Sequence, residues 1–315
     1  MSTATFNASQ SAGRNTERRR NRGAEKAKTN KIRGNKHVFT IVVLIVAMLY
    51  FLLPVWWLIV AATKTNSGLF FGEHGALWFA NKFALWDNIK QLCTYQNGIY
   101  WRWILNSFIY ALLGGLASTV ISVCAGYGFA KFQFRGKKAF FNLVLGALMI
   151  PSTALVIPIF LLMSKVGMVN TMWAVLLPTL LNPMGVYLMR IYCQESLPDE
   201  MIEAARVDGA GELRTFFKVS LPIMTPAITT VYLLSTVGAW NNFFLPQVVL
   251  TNSKLFPITV GLTQWQSQSQ AGAASEQVWN LVTSGSFISI IPMVLAFLFL
   301  QRYWVGGLTA GSVKS

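Results

Sequence analysis

The sequence predicts an all-α integral membrane protein with six transmembrane helices, and three observations carry that reading. Of 315 residues, 54% are hydrophobic and only 12% charged, whereas a soluble domain carries about 25% charged residues. Six apolar runs each exceed the roughly 20 residues that a helix needs to cross a ~30 Å hydrocarbon core at about 1.5 Å per residue. Lys and Arg are divided unequally among the connections between these runs, as the positive-inside rule requires of a spanning chain.

The segments follow in order. Residues 1–37 form a basic tail with ten of the 26 Lys and Arg and two acids, a local charge of +8. Its polar, Asn-rich and Ser-rich composition predicts disorder. Residues 38–102 hold the first span, Val38 to Ala62, and an extracytoplasmic segment from Thr63 to Arg102. The first span is too long for a signal-peptide apolar region and lacks an A-x-A cleavage site, so it is expected to stay as an anchor. Residues 103–305 hold the other spans: Trp103 to Ala130, Ala139 to Met163, Thr171 to Cys193, Ile223 to Pro246 and Leu281 to Val305. In a second extracytoplasmic segment, Gln247 to Asn280, the stretch from Gly261 to Asn280 is expected to fold as a short helix and loop; residues 306–315 form a C-terminal tail.

Counting cations outside the spans, with Arg190 and Arg302 near span ends, gives twenty on the side of the two termini and six, Lys64, Lys82, Lys90, Arg102, Lys165 and Lys254, on the other. Both termini are therefore expected in the cytoplasm. This distribution also answers the net charge of +15: a basic tail beside a first span reads as an orientation signal or an anionic-lipid contact rather than a nucleic-acid arm. His37 and His74 are isolated, and Cys124 and Cys193 fall in or beside apolar spans. No metal site and no disulfide framework are expected.

Two absences narrow the function. No span interior contains Asp, Glu, Lys or His, groups that proton- or ion-driven pumps keep in the membrane as relays. No G-x-x-x-x-G-K-[ST] phosphate loop occurs either, since Lys131 stands where the first glycine belongs before Gly136-Lys137-Lys138. If ATP drives this protein, another chain binds it.

The connection between the fourth and fifth spans, residues 194–222, is unlike its surroundings: QESLPDEMIEAARVDGAGELRTFFKVSLP. Pro198 with Asp199 and Glu200 is a helix start, with Asp199 able to cap and the acids suited to the positive end of the dipole. The helix is expected over about Glu200 to Asp208 and stops at Gly209, the residue type that takes the left-handed conformation of a helix end. A second short helix from about Gly211 to Val219 would set Leu213, Phe216 and Phe217 on one face. On the first helix Met201, Ala204 and Ala205 make a narrow small-residue strip beside Glu203 and Arg206. Periodicity alone leaves open whether this is a docking surface or an amphipathic connector on the membrane. A helix-turn-helix for DNA is disfavoured because the flanking spans pin the segment to the bilayer.

The segment resembles the cytoplasmic EAA motif of binding-protein-dependent ABC importer permeases, E-A-A-x-x-x-G, nine residues, then I-x-L-P. Glu203, Ala204, Ala205, Gly209, Leu221 and Pro222 match in register, with Val219 at the isoleucine position. GAWNNFFLPQVVL (Gly238 to Leu250) is similar to the fifth-span signature of carbohydrate permeases, with Asn242 where an acid is common. QRYWVGGLTAGSVKS (Gln301 to Ser315) is similar to the C-terminal tail of the smaller permease of maltose-type importers. The resemblance runs from about Trp101 onward and implies the type-1 transmembrane fold of ABC importers in a prokaryotic plasma (inner) membrane. It also implies a heterodimer with a second permease, two cytoplasmic ATPase subunits that use ATP and Mg, and an extracytoplasmic sugar-binding protein. Carried over by motif, Glu203, Ala204, Ala205, Gly209, Leu221 and Pro222 form the ATPase-coupling element, and Gly307 to Ser315 meets the ATPase pair. No catalytic residue and no cofactor of its own are implied for this chain.

For a neutral sugar the pathway candidates are Asn106, Asn182, Trp240, Asn241 and Asn242, polar or amphipathic groups that in lipid must face a partner or an aqueous path. Interhelical packing is the alternative for each. Trp56, Trp57, Trp101 and Trp103 read as membrane-interface belts. Pro151 and Pro158, with Gly114, Gly115 and Gly126, read as sites of bending or close helix approach.

Overall fold

The structure, a computed structural model, describes residues 38–70, 75–272 and 277–309, with side chains to residue 299. The basic tail and residues 310–315 of the C-terminal tail lie outside the described residues. The chain divides into two units, Met1–Trp57 and Leu58–Ser315. In the first unit residues 38–57 are helical and apolar; they belong to helix α1, Val38–Ala62.

The second unit completes α1 and carries α2 (Asn66–Phe70), α3 (Leu85–Thr94), α4 (Ile99–Lys131), α5 (Lys137–Leu148), α6 (Val156–Lys165), α7 (Trp173–Thr179) and α8 (Pro183–Ser196). There follow α9 (Asp199–Val207), α10 (Glu212–Thr215), α11 (Leu221–Trp240), α12 (Phe244–Val249), α13 (Ile258–Ala271) and α14 (Trp279–Thr309). No strand occurs among the described residues.

Among those residues five helical runs are long and apolar enough to cross a membrane: Val38–Ala62, Leu85–Lys131, Trp173–Ser196, Glu212–Trp240 and Trp279–Phe299. The predicted third span, Ala139 to Met163, is not one helix. It is divided into α5 and α6, of 12 and 10 residues, each too short to cross alone. Pro151 sits in the break, where it has no N–H to donate and its ring excludes helix at the preceding residue. The gap is closed by turn hydrogen bonds such as Ala154 N to Pro151 O at 3.0 Å. Pro158 instead falls in the first turn of α6, where a missing N–H costs nothing. The predicted fifth span also shifts: the helix starts at Glu212 and ends at Trp240, short of Pro246.

α4 is the central helix and packs along α8 and α11. Near its start, Tyr100, Trp103 and Tyr110 join Ile258 and Trp265 in one apolar core; near its end, Val123 and Tyr127 join Met189, Cys193, Ile202 and Met224 in another. Trp103 is thus core and not part of an interface belt. Its indole fits over Gly261, where a Cβ would lie 2.1 Å from the ring, and its Nε1 donates to Ser253 O at 2.8 Å.

Close helix approach depends on glycine at two points of α4. A Cβ on Gly115 would stand 2.4 Å from Thr236 Oγ1 on α11, and one on Gly126 would stand 2.4 Å from Met189 Cβ on α8. Gly126→Val is therefore expected to lower the thermal midpoint in detergent, by overpacking worth about 1–3 kcal/mol. Gly128→Val is the control, since no atom lies within 4 Å of a Cβ there. Equal midpoints for the two variants would exclude this packing account.

Candidate functional site

Two regions of the second unit carry the residues singled out from the sequence. The first is the loop from Leu197 to Pro222. Pro198 ends α8's exit in extended conformation and α9 starts at Asp199, one residue earlier than expected. Asp199 does not cap the helix; its carboxylate accepts from Lys131 Nζ at 2.7 Å. The same ammonium donates to the buried Leu197 carbonyl. This hydrogen bond, then the Lys131 charge, holds Asp199 below the ordinary carboxylate value. The end of α4 is in this way tied to the start of α9.

α9 turns Ile202 inward against Tyr127 and Met224 and leaves Met201, Glu203, Ala204 and Val207 exposed, with Ala205 half-buried. These residues share the outer face because positions three and four apart align on a helix. The helix stops at Gly209, whose φ of +78° is the left-handed conformation, closed by Ala210 N to Ala205 O at 2.9 Å. Arg206 reaches across the turn to Glu212, Nε to Oε1 at 2.8 Å and a second nitrogen to Oε2 at 3.2 Å.

The expected separate second helix is absent. α10 passes through a π turn, Phe216–Ser220, directly into α11. Pro222 supplies no N–H, which favours a register change just before it. Consequently Leu213, Phe216 and Phe217 do not share a face: Leu213 and Phe217 are 75% and 58% exposed, while the Phe216 ring packs 4.9 Å from that of Tyr127. Leu221 is half-buried and Pro222 exposed.

The second region is a cleft of about 230 Å³ where α4, the junction of α7 with α8, and α11 meet. Asn182 and Asn242 line it, beside Ser118, Thr179 and Ser235. Asn182 caps α8: its Oδ1 accepts from Gly185 N at 2.8 Å and its Nδ2 donates to Ser235 Oγ at 2.9 Å. Pro183 at the first helical position makes that break inside an apolar run. Ser118 Oγ is buried and has no partner among the described residues.

The other three pathway candidates lie outside the cleft. Asn106 Nδ2 donates to Lys254 O at 2.8 Å and Phe256 O at 2.9 Å, binding α4 to the segment before α13. Trp240 is buried edge-on to Phe108, and Asn241 is the exposed cap of α11. Sequence reasoning missed Lys131, Ser118, Thr179 and Ser235. A lysine at a span end and hydroxyls within spans are ordinary in membrane helices, so type and spacing offered no signal.

A family model described as "Binding-protein-dependent transport system inner membrane component" matches residues 118–306, a stretch that contains the loop and every residue of the cleft lining but Gly114. The chain belongs to that family. This permease is 38% identical over 228 residues to the arabinooligosaccharides transport system permease protein AraQ of Halalkalibacterium halodurans, across 72% of its own length and 79% of the relative's. It is 30% identical to the lactose transport system permease protein LacG of Rhizobium radiobacter, across 86% and 94% of the two chains. A chain in the crystal structure of a bacterial ABC transporter involved in the import of the acidic polysaccharide alginate shares the fold, with a TM-score of 0.73 at 23% identity over 85% of this permease and 95% of that chain. The protein is thus a multi-pass membrane subunit of a binding-protein-dependent transporter, not an enzyme.

Proposed function

We propose that this permease forms half of the translocation pathway of an ATP-driven carbohydrate importer, probing a partner ATPase with the outer face of α9. The observation that carries the reading is continuity. α9 is stopped at Gly209, bridged to Glu212 by Arg206, and followed by one helical run, Glu212–Trp240, whose Ser235 and Gly238 line the cleft. A displacement applied at α9 is delivered by a stiff helix to the pathway wall.

The outer face suits a protein partner. Met201 and Val207 are apolar and exposed on α9, in the connection outside the spans, an arrangement that marks interaction surfaces. Glu203 and Ala204 lie among them, so a charge fixes register where a small side chain admits close approach. The cleft supports a neutral solute, since its lining holds hydroxyls and amides and no ionisable side chain. The names of AraQ and LacG point to oligosaccharide and disaccharide cargo. At about 230 Å³ the cleft is smaller than complete ligand sites of ~300–1,000 Å³, as expected of one wall faced by a second permease.

In this assembly two cytoplasmic ATPase subunits bind ATP and Mg, a sugar-binding protein delivers cargo from outside, and both termini of this chain are cytoplasmic. Gentle purification of the tagged chain is expected to recover an ATPase and a second permease. Glu203→Arg is expected to cut uptake by about tenfold or more through a misplaced charge in the docking face, with the chain still present in the membrane. Undiminished uptake by that variant, or solute flux in vesicles holding this chain alone, would exclude the coupled reading.

A further inference from the structure

A cavity of about 660 Å³ lies apart from the cleft, between the turn after α4, the start of α5 and α8. Lys137, Lys138 and Arg190 line it with Gln133, Asn142 and Phe141, and no carboxylate does. The ion pairs among the described residues are Lys82–Asp87, Lys131–Asp199 and Arg206–Glu212, so none of the three cations in the cavity is paired with a carboxylate of those residues.

Arg190 is the least expected of them. It stands on a helix that packs against α4 and α5, and its guanidinium carbon rests 3.6 Å from the centre of the Phe141 ring. Its Nε is shut off from solvent and has no hydrogen-bond partner among the described residues. A guanidinium nitrogen shut off from water on an aromatic face is costly without an acceptor, and the planar fork of the half-buried Arg190 matches a phosphate. Lys137 Nζ donates once, to Phe132 O at 2.8 Å, which leaves two of its three donors for a ligand.

The surroundings indicate the source of that phosphate. Phe140 and Leu143, on α5 beside the cavity, are 58% and 72% exposed, as apolar side chains against acyl chains are. The cations therefore sit at the end of a lipid-facing helix. We infer that this cavity binds the phosphate of an anionic phospholipid headgroup, whose acyl chains run along α5. The inference rests on the cytoplasmic placement of this connection given under Proposed function, because the anionic lipids that attract basic residues lie in the cytoplasmic leaflet.

The test uses the full chain with its co-purifying subunits in phosphatidylcholine discs doped with phosphatidylglycerol, and native mass spectrometry reads the lipid retained. Preferential retention of phosphatidylglycerol is expected, weakened about fivefold by Arg190→Gln and about a hundredfold when Lys137→Gln and Lys138→Gln are added. Lys138 is exposed, so Lys138→Gln alone folds as the parent does and must still weaken retention about fivefold. Equal retention of the two lipids, or retention unchanged by all three substitutions, overturns the inference. Displacement of phosphatidylglycerol by millimolar inorganic phosphate assigns the cavity to a free anion and overturns the lipid source. Loss of a co-purifying subunit on substitution, with lipid retention unaltered, assigns the cavity to an acidic protein segment and also overturns it. ATPase recovery is read in the same spectra: an intact complex without lipid preference defeats this inference alone, and lipid preference without an ATPase defeats only the coupled reading.

Discussion

Gly209→Val is expected to reduce uptake about fivefold to thirtyfold, the range that about 1–2 kcal/mol of left-handed strain implies for the population of the native turn. Gly209 has φ of +78°, and a Cβ there would meet no atom within 4 Å. The penalty is therefore one of backbone conformation and not of crowding. Asparagine visits the left-handed region more readily than other L-residues, so Gly209→Asn should keep most of the uptake and Gly209→Ala should fall between. If the turn sets the angle between α9 and the Glu212–Trp240 run, the valine variant remains in the membrane and hydrolysis by the co-purified ATPase no longer tracks transport. The series is read by uptake and ATP hydrolysis in the same vesicles. Equal uptake by the valine and asparagine variants would remove the turn from the coupling path.

The second large effect is expected at Lys131, which sequence reasoning passed over. Its side chain is 7% exposed and its ammonium serves both the Leu197 carbonyl and the Asp199 carboxylate. Lys131→Met leaves a buried carbonyl without its donor, a loss of about 1–3 kcal/mol, and frees the start of α9 from α4. The thermal midpoint and the amount of ATPase recovered with the chain should both fall. Asp199→Asn should do less, because that carboxylate is exposed and its attraction is screened by water and salt. Equal losses in the two variants would show that the ion pair, not the carbonyl bond, is the tie.

The same contact sets a pH dependence. Lys131 lowers the folded-state value of Asp199, so the contribution of the pair is complete above the unfolded carboxylate value and is lost as pH falls through the lowered one. ATPase recovery should stay level from neutral pH into the mildly acidic range and decline only below the ordinary carboxylate value. In Lys131→Met that acid-side decline should be absent.

Particular residues show how far the sequence could be read. The spans were legible because a ~30 Å apolar layer demands long apolar runs whatever the tertiary arrangement. Pro198, Glu200 and Gly209 marked the ends of α9 because start and stop signals act within a turn or two of themselves. Leu213, Phe216 and Phe217 were misassigned to one face because a π turn shifts the register by a residue and has no reliable sequence mark. The divided third span was half visible: Pro151 announced a bend, but whether a proline kinks or breaks a membrane helix depends on the neighbours that satisfy the freed carbonyls.

The pathway candidates separate along the same line. Asn182 and Asn242 reach the cleft, whereas Asn106, Trp240 and Asn241 serve packing or a helix end. An asparagine in an apolar span must be partnered in either role, so residue type cannot distinguish them. Charge, hydropathy and local start and stop signals by themselves determined that the chain spans a membrane and where its exposed helix lies, and the permease reading came from the resemblance of Glu203, Ala204, Ala205, Gly209, Leu221 and Pro222 to a known motif. Each of those properties is local or is imposed by the bilayer. Only the tertiary structure decided that Lys131 anchors α9, that Ser118, Asn182 and Ser235 face one cleft, and that Arg190 lies on Phe141 with its Nε unpartnered among the described residues. Those outcomes depend on which faces of α4, α8 and α11 meet, and glycines such as Gly115 and Gly126 set how closely they approach.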